Sequence, residues 1–192
     1  MIYACSRKKE QYTFADFIAW DEGERIEIIN GETFMMVTPS SDHQVISMEI
    51  SRQLANFLEG MRCKVYPAPF AVRLFERDGD SPEDVDTVVE PDISVVCDRS
   101  KIDKRGCKGA PDLIVEILSP STRRHDRLVK LNLYQRAGVR EYWIVDPDNK
   151  SVQVFMLDGG ALKIHEDYGR ENVAKVNVFD GCFIELSKVF SE

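Results

Sequence analysis

The sequence predicts a mixed α/β or α+β domain in which a central β-sheet is covered by helices. Two observations carry this. Along the chain the hydrophobic patterns run helix, hairpin, helix, several strands, helix, strands, the order of a sheet with helices packed on it. The segments around 93–97, 113–118 and 141–145 are nearly continuously apolar, as strands buried on both faces are. With 192 residues, 43% hydrophobic and 30% charged, the chain reads as one soluble globular domain over 1–192.

The elements follow in order. "TFAD" at 13–16 has the Thr-x-x-acid form of a helix start, with Phe14, Phe17 and Ile18 on its apolar side and an end near Gly23. "RIEIINGETFMMV" reads as two strands joined at Asn30-Gly31, the dipeptide suited to the positive φ angles of a type I′ turn. Ser41 with Gln44 is a second capping pattern. It opens a helix whose Ile46, Ile50, Leu54 and Phe57 recur at helical spacing up to Gly60, with His43 at its start. Strands are expected at "CKVYP", "FAVRLF", "TVVEPDISVVC" and "DLIVEIL". A helix is expected over 122–137, closed by Gly138. "REYWIVDP", "SVQVFML", "LKIHE" and "KVNVF" then read as strands before a short C-terminal helix.

No apolar run approaches the roughly 20 residues that span a bilayer, and the N-terminal stretch lacks the apolar core of a signal peptide. A cytoplasmic protein without membrane association is expected. Five cysteines, Cys5, Cys63, Cys97, Cys107 and Cys182, form no CxxC pair. Free thiols in a reducing compartment are therefore expected, not a disulfide framework or zinc knuckle. The net charge of −8 argues against broad, metal-free attraction to nucleic acid. Basic residues nevertheless gather in "RSKIDKRGCKG" and "RRHDRLVK", either as solvated faces or as a local footprint for a polyanion. The acidic loop at 76–86 lacks the alternating ligand order of an EF-hand and reads better as solvated than as a calcium site.

Glu116 is the odd residue. It interrupts Leu113, Ile114, Val115, Ile117 and Leu118 in the most apolar strand, and a buried carboxylate is costly unless something positive meets it. Asp112 lies four residues away, about 13 Å along a strand, too far to share an ion. Asp92 belongs to a separate strand that could pair beside it. Two converging carboxylates suit a hard cation such as Mg²⁺ or Mn²⁺, which keeps waters and substrate phosphate as its other ligands. A cation would then compensate Glu116, although a core arginine could do so as well.

"EPDISVV", "PDLIVEILSPST", the following helix with Lys130 and Tyr134, and "GVREYWIVDP" together resemble the Uma-two family of restriction endonucleases, within the PD-(D/E)XK nuclease superfamily. "RIEIINGETFMM" and "PSSDHQ" extend the likeness over about residues 12–160. The resemblance implies a restriction-endonuclease-like core. It also implies metal held by Asp92, Glu116 and the carbonyl of Ile117, and a lysine that assists the attacking water. The implied partner is nucleic acid, DNA in the first place, with a homodimer as a further expectation. At position 118, where the superfamily pattern has lysine, this chain has Leu118; Lys130 matches the lysine supplied from the next helix. Lys130 could equally form an i,i+4 surface pair with Asp126, although its spacing to Leu133, Tyr134 and Ala137 points inward. Glu27 resembles a recurrent family glutamate, or pairs with Arg25 or Arg73 across strands. His43 contacts the phosphate or positions water, or is a satisfied residue at a helix start. The competing class is a nuclease-fold module that binds nucleic acid or a protein without cutting.

Overall fold

The computed structural model describes residues 10–20, 25–119 and 129–191. Helix α1 (Phe14–Ala19) begins at Thr13, whose backbone N–H and hydroxyl both donate to the Asp16 carboxylate. It is shorter than its sequence pattern suggests. The chain turns extended at Trp20, whose ring packs back against Tyr12 and Phe17.

Strands β1 (Ile26–Ile29) and β2 (Glu32–Met35) pair antiparallel with Ile29 opposite Glu32, so Asn30 and Gly31 alone make the turn. Their φ angles of 50° and 81° are the two positive values of the type I′ geometry. Helix α2 (Ser41–Phe57) is capped one residue earlier than expected: the Ser40 hydroxyl, not that of Ser41, accepts the His43 N–H at 3.2 Å. Ser40 has the extended backbone that a capping side chain needs.

The central sheet has six strands: β3 (Lys64–Pro67), β5 (Ile93–Val96), β8 (Leu113–Ile117), β9 (Glu141–Asp146), β10 (Ser151–Asp158) and β11 (Ala161–Gly169). Their order is β11-β10-β9-β8-β5-β3. The β8–β9 pair is parallel and the other pairs are antiparallel, which makes the sheet mixed. The remaining strands are short. Two residues at β4 (Val72–Arg73) join β6 (Ile102–Asp103) and β7 (Gly106–Lys108) in a small separate sheet. Strands β12 (Val173–Lys175) and β13 (Phe183–Glu185) form another pair. The strand expected at "TVVEPDISVVC" is interrupted: Val88 and Val89 make isolated bridges, and pairing resumes only at Ile93. Pro91 has no N–H to offer a ladder. The strand expected at "KVNVF" ends at Lys175, because the buried Glu141 draws the next residues away by accepting from Asn177 Nδ2 and the Val178 N–H.

Alternation along β8 decides which side each residue serves. Leu113, Val115 and Ile117 pack with Ile46, Ile50 and Leu54 of α2. Ile114 and Leu118 face the other layer, with Leu133 and Tyr134 of α3 (Leu131–Ala137). Glu116 shares that second face by strand period. Helix α3 ends at Gly138 with φ 84°, while the start of the expected helix, residues 122–128, lies outside the described residues. The short helix α4 (Leu186–Val189) packs into the α2 layer.

Free thiols are not what the structure has at two of the cysteines. Cys63 and Cys97 are disulfide-bonded. The β3–β5 register, with Lys64 opposite Val96, sets them side by side one residue further on. Only the folded sheet brings together residues 34 apart, so sequence spacing could not reveal the pair. Cys107 and Cys182 are free and buried, and burial pushes their thiols up to about 11 and about 12. Cys5 lies outside the described residues. Among the described residues no helix is long and apolar enough to cross a membrane.

Candidate active site

Glu116 and Lys130 answer each other across the second face of the sheet. Lys130 immediately precedes α3 in helical backbone conformation, and its Nζ donates to Glu116 Oε1 at 2.9 Å and to Glu27 Oε1 at 3.0 Å. All three side chains are at most 5% exposed. Among the described residues the positive partner of Glu116 is this lysine. The alternative partner, Asp126, lies outside the described residues. An ammonium held by two buried carboxylates satisfies the condition for keeping such charges out of bulk water.

Tyr134, one helical turn beyond Lys130, donates its hydroxyl to the same Glu116 Oε1 at 2.5 Å. Burial first, and then the Glu116 and Glu27 carboxylates, raise its phenol well above the usual value. It is thus a neutral donor. Glu27 projects from β1 and also accepts the Glu90 N–H at 2.9 Å. It pairs with neither Arg25 nor Arg73: Arg25 meets Glu90, and Arg73 meets Glu76 and Asp103.

Asp92 stands one residue before β5. Since Ile93 is opposite Val115, Asp92 falls beside Glu116 on the neighbouring strand. Its Oδ2 accepts the Ile117 N–H at 2.7 Å and lies 3.1 Å from His43 Nε2. His43 is placed by the Ser40 cap; its Nδ1 is buried without a hydrogen-bond partner among the described residues. Asp112 is remote from this group, binding the Cys97 N–H and Arg140. Leu118 is packed in the apolar layer and leaves no cation at its position.

Glu27, His43, Asp92, Glu116, Ile117 and Lys130 line one pocket of about 80 Å³, together with Arg25, Ser119 and the 34–39 segment. That space admits several waters. A hard divalent ion would find oxygen donors here. Among the described residues both side-chain contacts of Asp92 fall on Oδ2, which leaves Oδ1 for a cation. Two carboxylates and a carbonyl suit an ion that keeps waters in its shell. No group of three or more His, Cys, Asp or Glu among the described residues could hold a metal by itself, and that includes the acidic loop. There Asp80 and Asp84 cap their own turns.

Arg25 and Glu90 stand beside this group as an ion pair. Their signal is weak in the sequence: Arg25 precedes β1, and Glu90 precedes the Pro91-Asp92 step. The first basic cluster is largely spent on structure, since Arg99 and Lys101 donate to carbonyls and Lys108 pairs with Glu76. Of the second, only Lys130 lies among the described residues.

Comparison with known proteins adds three findings. A family model, Uma2, described as "Putative restriction endonuclease", matches residues 14–187. The uncharacterized protein slr1290 of Synechocystis sp. is 27% identical over 143 residues, covering 73% of this chain and 71% of that protein. A crystal structure from Anabaena variabilis, described as a "putative nuclease belonging to DUF820", aligns with a TM-score of 0.72 at 20% identity. The alignment covers 94% of this chain and 98% of that one. At that identity the likeness is one of fold. Because the family model runs from α1 to the start of α4, the chain belongs to the Uma2 family.

Proposed function

We propose that this pocket hydrolyses nucleic-acid phosphodiester bonds, as a divalent-metal-dependent endonuclease acting on DNA. The observation that carries the proposal is the convergence of Asp92, Glu116 and the buried Lys130 on one cavity. Family membership supports it. Asp92, Glu116 and the Ile117 carbonyl would hold Mg²⁺ or Mn²⁺, and such an ion supplies Lewis-acid polarisation of a phosphate oxygen and a more acidic water. The chain's own residues do the positioning. Lys130 places its positive charge beside the attacking water and the charge that develops on phosphate. Glu27, itself fixed by the Glu90 N–H, holds the amine at that station. Tyr134 orients Glu116, and His43 orients Asp92. Cleaving both strands of a duplex calls for two such sites, which favours a homodimer. The cytoplasm is proposed as the compartment on the substrate's account, since the Cys63–Cys97 bond removes the support that free thiols would have lent.

A second proposal has its own observation. Glu116 Oε1 is held by both Lys130 and Tyr134, and Leu118 stands where the superfamily pattern has lysine. A module that binds nucleic acid or a protein partner without cutting would tolerate both. Calorimetric titration with Mn²⁺ separates the two: binding in the micromolar-to-millimolar range that is lost in Asp92→Ala supports the nuclease, and no binding supports the module.

A further inference from the structure

We propose that Arg25 binds a phosphate of the DNA strand at the rim of the Asp92–Glu116 pocket; this rests on the nuclease function proposed above. A phosphodiester entering this pocket meets mostly negative charge. Glu27, Asp92 and Glu116 line it, and Lys130 is committed to two of them. Among the described residues lining the pocket, Arg25 is the remaining arginine or lysine.

Its placement suits the task. The Arg25 carbonyl accepts the Met36 N–H at 2.9 Å, which anchors the backbone at the open end of the β1–β2 hairpin. The side chain is 33% exposed, so a ligand can reach it. Its tie to Glu90 is loose: Nη2 stands 3.4 Å from Glu90 Oε2, where charge-assisted pairs usually close to about 2.7–2.9 Å. Its Nε is buried and has no hydrogen-bond partner among the described residues. An orphaned buried donor is unfavourable, and an oxygen arriving in the pocket would satisfy it. A guanidinium with one loosely held N–H and one orphaned N–H is a fork for the two oxygens of a phosphate.

The test is equilibrium binding of a short DNA duplex at several salt concentrations, for the wild type, Arg25→Gln, Arg25→Lys and Glu90→Gln. Ca²⁺ replaces Mg²⁺, and the duplex is checked for cleavage. Removing one phosphate contact lowers the slope of log K against log salt by about 0.9. Arg25→Gln is expected to show that smaller slope and roughly tenfold weaker binding at low salt. Arg25→Lys and Glu90→Gln are expected to keep at least the wild-type slope. A wild-type slope in Arg25→Gln overturns the proposal and leaves the nuclease function standing. An equal loss in Glu90→Gln also overturns it, because Arg25 would then matter only as an ion-pair partner. A wild-type protein that binds no duplex overturns both.

Discussion

Lys130 Nζ lies 2.9 Å from Glu116 Oε1, with both side chains buried, although fourteen residues separate them in the chain. This contact changes what a substitution at Lys130 should do. A surface lysine could be replaced at little cost, whereas removing this one takes a buried cation away from both Glu27 and Glu116. Lys130→Met is expected to lose about 3–5 kcal/mol of stability and, at a temperature where it stays folded, to cleave at least about 10²-fold more slowly. Denaturant melts and initial rates of DNA cleavage measure the two effects. A variant as stable as wild type would contradict the burial of this charge network.

Tyr134 provides a pH signature. Its phenol is raised well above the ordinary value by burial and by the adjacent carboxylates, so at alkaline pH the unfolded chain loses a proton that the folded chain keeps. Stability from this group is complete below the unfolded pKa of about 10 and is lost as pH rises beyond it, at up to about 1.4 kcal/mol per pH unit. Tyr134→Phe should be about 2 kcal/mol less stable at neutral pH, through loss of the donor to Glu116, and should show a shallower alkaline decline. Denaturant melts near pH 9 and near pH 11 compare the slopes. Equal slopes would mean that Tyr134 ionises normally in the folded protein.

Gly31 holds the hairpin that presents Arg25 and Glu27. With φ at 81°, and with a Cβ there falling 2.3 Å from the Gln11 side chain, Gly31→Ala should cost about 1–2 kcal/mol. For a chain of this size that is a fall of several degrees in melting temperature. Thermal melts test it, and an unchanged midpoint would show that the turn relaxes freely.

The Cys63–Cys97 bond closes a loop across a sequence separation of 34, and by loop closure alone contributes about 3–4 kcal/mol. Melting with and without dithiothreitol should reveal that difference in the wild type and none in Cys63→Ala/Cys97→Ala. A wild type indifferent to reductant would mean that the two thiols are not bonded in solution.

How far the sequence could be read varies with the range of the interaction. The Asn30-Gly31 turn was legible because its signal is local, and the apolar runs at 93–97, 113–118 and 141–145 identified the middle of the sheet. The Ser40 cap was missed by one residue because adjacent serines offer the same hydroxyl, and only backbone geometry chooses between them. Cys63–Cys97 and Glu27–Lys130 depend on sheet register and on packing between β1 and α3, which leave no trace in spacing. Glu116 was conspicuous as a lone acid in an apolar strand. Its immediate cation proved to be a lysine of the same chain, with the metal left as a proposal.

If the Asp92–Glu116–Lys130 pocket cuts DNA with a divalent ion, incubating purified protein with supercoiled plasmid will show it. With Mg²⁺ or Mn²⁺ present, the wild type is expected to nick and linearise the plasmid. Chelation of the ion, or Asp92→Ala in a protein that melts like wild type, should abolish this. No cleavage by the wild type with either ion, or equal cleavage by Asp92→Ala, would contradict it.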